Sequence, residues 1–335
     1  MCSSDLVADI SHTPYDDNAE ARATYLNARF EFSTRSADGL STAQHGFRQL
    51  VERYPERAAG WSGLAETYLL LCEFGSMPDQ VAYPQAAQAA RTAIALDPQQ
   101  GAAWLDEAFV TWWWQGDSTR AFREFTTALR LDPSSARAHH WFATALAAHG
   151  DFPRSLEEIA RARALSPDNR AIVADEAFIR FGAGLRAAEA TATLERLTRT
   201  DPSFESPHFY LSRIYLVGGR DADFLREAQT AAQLRGQPDV LAALRLAQQR
   251  LESSGRQAML DQLSQSETDR WQRGLGSAVF VAAYRALAHD RPGMLRWLAT
   301  AESHHDHYLP CLQGTPEFSS FRSDPGFVAV LNRAR

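Results

Sequence analysis

Four prolines recur at an almost fixed interval in this 335-residue chain, and that interval leaves few folds open. Leu96-Asp97-Pro98, Leu131-Asp132-Pro133, Leu165-Ser166-Pro167 and Thr200-Asp201-Pro202 place prolines at spacings of 35, 34 and 35 residues. A constant period of this size marks one supersecondary unit repeated along the chain. Helical patterns precede the prolines, with small residues where two helices must cross: Ala121, Phe125 and Ala128 before Pro133, and Ala86, Ala90 and Ala93 before Pro98. A pair of such helices is too small to bury its own apolar face, and stacking on the next pair supplies the missing half. Weaker units run from Tyr25 to Pro55, Pro207 to Gly236 (with Gly218-Gly219 as the turn), Asp239 to Glu267 and Val279 to Ala301, giving about eight helix pairs. Gly75, Pro78 and Pro84 lengthen one turn, Glu73–Pro84, between the two helices of a pair. The expected fold is all-α, a solenoid of stacked helix hairpins over residues 17–303. Residues 1–16 read as a linker or non-native segment, and 304–335 as a C-terminal loop and capping helix.

Composition narrows the function. All 34 basic side chains are arginine, so the chain has no lysine for a nucleotide phosphate, a Schiff base or an S-x-x-K nucleophile. The balance is acidic, with 41 carboxylates and a net charge of −7, and the arginines are scattered among them. That pattern gives no footprint for a phosphate backbone and excludes direct nucleic-acid binding through this region. The longest apolar runs, around Tyr68–Cys72 and Phe109–Trp114, are far too short to span a membrane. Cys2, Cys72 and Cys311 have no spacing that suggests zinc or a disulfide framework. Met1–Leu6 lacks every part of a secretory signal and reads as foreign, so the natural chain is expected to begin further upstream. The compartment is then cytoplasmic by default and periplasmic if a membrane span precedes this region.

Trp61, Leu64, Ala65 and Tyr68 resemble the W-x2-L-G-x2-Y pattern of tetratricopeptide repeats, with alanine in the glycine slot. That resemblance implies a right-handed superhelix whose concave surface takes a protein or peptide partner, or a small ligand. The order of features is similar to one subgroup, the C-terminal repeat region of bacterial winged-helix transcriptional regulators, class III nucleotide cyclases and some serine/threonine kinases. The stretches that carry it are Ala23-Thr24-Tyr25-Leu26, the turn ending in Tyr83-Pro84, Trp114 to Phe125, His139-His140-Trp141 with Gly150-Asp151-Phe152, and Pro316 to Phe327. This implies the sensory or interaction region of a larger regulator whose effector domain is missing. The alternative is a free-standing scaffold for complex assembly. Modules that clamp a terminal carboxylate use asparagines recurring in the groove; Asn18, Asn27, Asn169 and Asn332 do not recur at the period, which argues against a clamp.

Candidate chemistry is sparse. His304, His305 and His307, with Asp306, carry ligand-type side chains, and a weaker reading makes them a metal site; consecutive residues converge poorly on one ion. His139 and His140 fall in a first helix, one ring packing in the groove and the other facing outward. Trp112, Trp113 and Trp114 point about 100° apart on a helix, so at least one enters the core and an exposed ring is left as an anchor. Asp106-Glu107 and Glu157-Glu158 are sequence neighbours that read as solvated faces, not as a converging acid/base pair. The sequence thus predicts a non-enzymatic binding protein without a cofactor.

Overall fold

The computed structural model describes Tyr15 and residues 17–34, 36–73 and 77–333. Met1–Leu6 lies outside the described residues. Among the described residues every regular element is a helix. In chain order they are α1 (Ala19–Ser33), α2 (Ala37–Arg53), α3 (Ala58–Glu73), α4 (Asp79–Leu96), α5 (Gly101–Trp113), α6 (Ser118–Leu131), α7 (Ala136–His149) and α8 (Phe152–Leu165). Then come α9 (Arg170–Gly182), α10 (Ala187–Thr200), α11 (Glu205–Val217), α12 (Asp221–Leu234), α13 (Pro238–Gln272), α14 (Ala278–Leu287) and α15 (Arg291–Ser303). Two 3-10 turns, Leu309–Cys311 and Pro316–Phe321, precede α16 (Pro325–Arg333). Neighbouring helices pack in antiparallel succession, and the fold is an all-α solenoid.

The proline period has a local cause. In Asp-Pro-x-x the aspartate closes a turn on the backbone two residues on: Asp97 accepts from the Gln99 N–H at 2.9 Å, Asp132 from Ser134 at 3.1 Å and Asp201 from Ser203 at 3.3 Å. Six residues after the proline, a ring N–H donates back to the proline carbonyl. Trp61 does so to Pro55 (2.8 Å), Trp104 to Pro98 (2.9 Å), His139 to Pro133 (3.1 Å) and His208 to Pro202 (3.2 Å). Indole and imidazole are interchangeable here because each offers one ring N–H at the same reach.

The turn inside each pair repeats as well. Gly116, Gly150, Gly184 and Gly219 have φ of 68°, 88°, 72° and 73°, a left-handed backbone that glycine adopts without a Cβ clash. Gly255, with φ 83°, continues the series inside α13 and divides it into two helices; His289 takes the next place at φ 57°. The crossing residues Ala86, Ala90, Ala93, Ala121 and Phe125 are fully buried and Ala128 almost so. Pro84 departs from expectation: α4 starts at Asp79 and contains it, so the proline costs one i to i−4 bond instead of lengthening the turn.

The chain forms two compact units. One runs to Phe142 and takes in Arg161–Asn169; its largest buried side chains include Phe47, Leu69, Leu70, Trp112 and Phe125. The other comprises Ala143–Ala160 and the chain from Arg170 onward. It holds one cluster around Leu194, Leu211, Tyr215 and Met259, and another in which Phe318 and Phe327 pack with Met294 and Leu298.

Candidate functional site

On each first helix, the residues eight and eleven places after the repeat proline lie three apart and share a face. The earlier row is Gly63, Asp106, Trp141, Asp175 and Tyr210; the later is Glu66, Phe109, Thr144, Phe178 and Arg213. Aromatic and charged residues dominate both rows. The later row of one helix meets the earlier row of the next: Phe109 lies 4.5 Å from Trp141, and Phe178 stacks on Tyr210 at 4.5 Å and 9°.

In the first unit this face carries a charge network. The Arg29 guanidinium of α1 donates to Glu66 of α3 at 2.8 Å. Arg137 of α7 pairs with the other Glu66 oxygen, lies 3.8 Å from Asp106 Oδ1, and covers the Trp141 ring at 5.1 Å. Ser62 donates to Asp106 Oδ2 at 3.4 Å, while Oδ1 has no hydrogen-bond partner. Asp106 is 0 % exposed, and burial pushes its carboxyl well above the usual aspartate value, against the opposing Ser62 hydrogen bond and Arg29 charge. About 100° round α5, Glu107 is held between Arg91 of α4 (2.8 Å) and Arg120 of α6, which also grips Glu124 at 2.7 Å. Burial raises Glu124 too.

Asp106 and Glu107 are therefore not solvated, which corrects the sequence reading. Two adjacent helical carboxylates can both be buried when arginines of different neighbouring helices approach each of them. The signal was present in the arginines of the flanking helices but not in the local pattern. His140 is a second correction: both His139 and His140 are buried, so neither faces outward. The tryptophans divide as helix geometry requires. Trp112 stacks on Phe122 in the core, Trp113 packs against Phe109 on the shared face, and Trp114 stacks on Tyr83 at 5.3 Å. Glu157 is exposed and Glu158 half-buried.

The histidine cluster does not converge. The His304 ring packs edge-on against Trp271 with Nδ1 beside the Thr300 carbonyl, and His307 packs on Tyr308. Asp306 is engaged by Ser277 Oγ (2.8 Å) and by the Tyr308 N–H (3.0 Å). Among the described residues no three His, Cys, Asp or Glu side chains are placed to hold a metal ion. Cys72 and Cys311 are free thiols, and burial pushes Cys311 up to about 12.

In the second unit the same face is covered by residues 311–318. The Gly314 N–H donates to the Ala148 carbonyl at 3.1 Å, and a side chain there would collide with the Ala147 and Ala148 oxygens. Glu317 then forms a two-point fork with Arg213 of α11, at 2.8 and 2.5 Å. The Arg213 guanidinium lies 5.5 Å from the Phe178 ring and 5.9 Å from Phe209. Burial works against the Arg213 charge, yet the Glu317 carboxylate outweighs it and holds the group above its ordinary value.

No protein-family model matches the chain, and no curated protein matches it either. Similar folds do occur among solved structures. A human IFIT1 dimer with m7Gppp-AAAA superposes with a TM-score of 0.57 at 14% identity, over 93% of this chain and 71% of that one. Yeast Tom70 gives a TM-score of 0.47 at 16% identity over 96% and 69%, and the TPR protein TTC0263 of Thermus thermophilus 0.41 at 19% over 52% and 87%. The fold is of the tetratricopeptide type. Identities this low show likeness of fold alone. No described helix is long and apolar enough to cross a membrane.

Proposed function

We propose that the chain is a non-catalytic scaffold that recognises a protein or peptide segment along its first-helix faces. The observation that carries this reading is the run of aromatic and charged side chains, Glu66, Asp106, Phe109, Trp113, Arg137 and Trp141, on a face that repeat stacking alone would fill with small apolar residues. The titratable groups of the first unit are engaged by arginines and by Ser62, not aimed together at an open cavity, which supports binding over acid/base chemistry. The IFIT1 structure holds m7Gppp-AAAA, but here the arginines of the face are matched by carboxylates and the chain has a net charge of −7. A protein segment suits that balance better than phosphate. A displayed peptide library tests the reading. Peptides enriched on the full chain are expected to bind at least about tenfold more weakly to Trp113→Ala; equal binding to both forms, or no enrichment, overturns it.

The resemblance to regulator-borne repeats supports a finer reading, in which this region couples binding to an effector domain upstream. The competing reading is a free-standing scaffold. Sequencing the locus upstream of the codon for Met1 separates them: a continuous reading frame into an effector domain favours the first, and an in-frame stop favours the second.

A further inference from the structure

One segment of this chain already lies where a bound peptide would. Leu312–Phe318 crosses the first-helix face of the second unit, and its contacts are those of a ligand. It makes a backbone hydrogen bond through Gly314, a charged two-point fork through Glu317 and an apolar anchor through Phe318, which is 0 % exposed. The residue that receives the carboxylate belongs to the recognition row. Arg213 stands eleven residues after Pro202, as Glu66 stands after Pro55 and Phe109 after Pro98. Its surroundings are also built. Phe178 and Phe209 lie against the guanidinium, Tyr210 stacks on Phe178, and the Tyr210 hydroxyl is fixed by Asp175. An arginine whose plane is set by aromatic rings presents its fork to a carboxylate in one orientation.

We propose that this face is a recognition site for an acidic peptide of the form Pro-Glu-aromatic, and that Thr315–Phe318 of the same chain occupies it in cis. The inference rests on the reading of the first-helix faces as binding surfaces and assigns a ligand class to one of them. The Glu side chain enters the Arg213 fork and the following aromatic fills the cluster formed by Met294, Leu298 and Phe327. The proline opens the 3-10 turn that carries both side chains, which leave it in different directions, one to the fork and one to the cluster. A partner protein bearing such a segment competes with the cis segment, so the occupied state is the resting state of the site.

The test uses the full chain and a fluorescent peptide of residues 311–322 with serine in place of Cys311. Wild type is expected to bind it weakly, because the cis segment competes. Glu317→Ala empties the fork in cis and is expected to bind the peptide at least about tenfold tighter, while the same peptide with Glu changed to Gln falls back to the wild-type level. Adding Arg213→Ala to Glu317→Ala is expected to abolish the gain. Glu317→Gln keeps the side-chain volume and serves as the second variant if the alanine form does not fold, as judged by its thermal transition. Equal binding by wild type and both Glu317 variants, or equal binding of the Glu and Gln peptides, overturns the proposal. Because the peptide is defined in advance, this outcome does not depend on whether the library selects anything on the first unit.

Discussion

The two units solve the same problem with charges of opposite origin. In the first, the helices supply both signs: Glu66 is paired by Arg29 and Arg137, which come from helices on either side, and Arg137 also lies 3.8 Å from Asp106. In the second, the row supplies a cation, Arg213, and the matching carboxylate arrives from a segment outside the helix pairs. The lesson is that a buried charge on a solenoid face can be satisfied within the repeats or by something laid across them. Only the second arrangement makes the face exchangeable, because its counter-charge lies on a separable piece of chain.

Removing one member of each network breaks the comparison most directly. Arg137→Ala leaves buried Glu66 with Arg29 alone and takes away the arginine beside fully buried Asp106, and is expected to cost about 4 kcal/mol in urea unfolding. Arg213→Ala strands only Glu317 and is expected to cost about 3 kcal/mol. A loss well under 1 kcal/mol there would show that the fork does not hold the segment. Glycine turns sharpen the contrast at a smaller scale. Gly219 and Gly150 share a left-handed backbone, but only at Gly150 would a Cβ meet Gln313 of the covering segment. Gly219→Ala is expected to cost about 1 kcal/mol and Gly150→Ala about 2 kcal/mol. Equal losses would mean that the segment adds nothing at that turn.

The smallest expected effect is one of slope. Burial raises Asp106 in the folded chain above its ordinary 3.8, so the stability tied to its proton is fully present below that value. It is lost as pH rises through the folded-state value. Asp106→Asn removes this contribution, and its unfolding midpoint is expected to fall less than that of wild type between about pH 4 and pH 8. Glu205 and Glu267, both raised by burial, act in the same direction in both proteins, while Asp223 and Glu227, both lowered, act oppositely in both. The difference between the two curves therefore isolates Asp106, and parallel curves would contradict the burial of its charge.

What the sequence made legible was local. The Asp-Pro turns, the alanine crossings and the Trp61-to-Tyr68 pattern depend on residues within one or two helices, and they were enough to give the all-α solenoid. The binding faces were much harder to read. Asp106 and Glu107 looked like surface charge because the arginines that permit their burial lie on other helices. Glu317 lay in the Pro316-to-Phe327 stretch, but nothing there pointed to Arg213, since that partner is 104 residues away. Proline offered a third kind of ambiguity: Pro84 marks a turn in most contexts, and only the packing of α4 shows that the helix runs through it.

That separation of 104 residues also fixes an order of events during synthesis. Apart from the Gly314–Ala148 bond, which waits for the same segment, and the Arg137–Glu66 pair, the polar contacts of the first-helix faces join neighbouring elements that leave the ribosome close together. Arg213 cannot meet Glu317 until the intervening helices have been made. Until Glu317 is made, the Arg213 fork has no carboxylate from this segment, and an acidic peptide nearby would meet no competitor in cis.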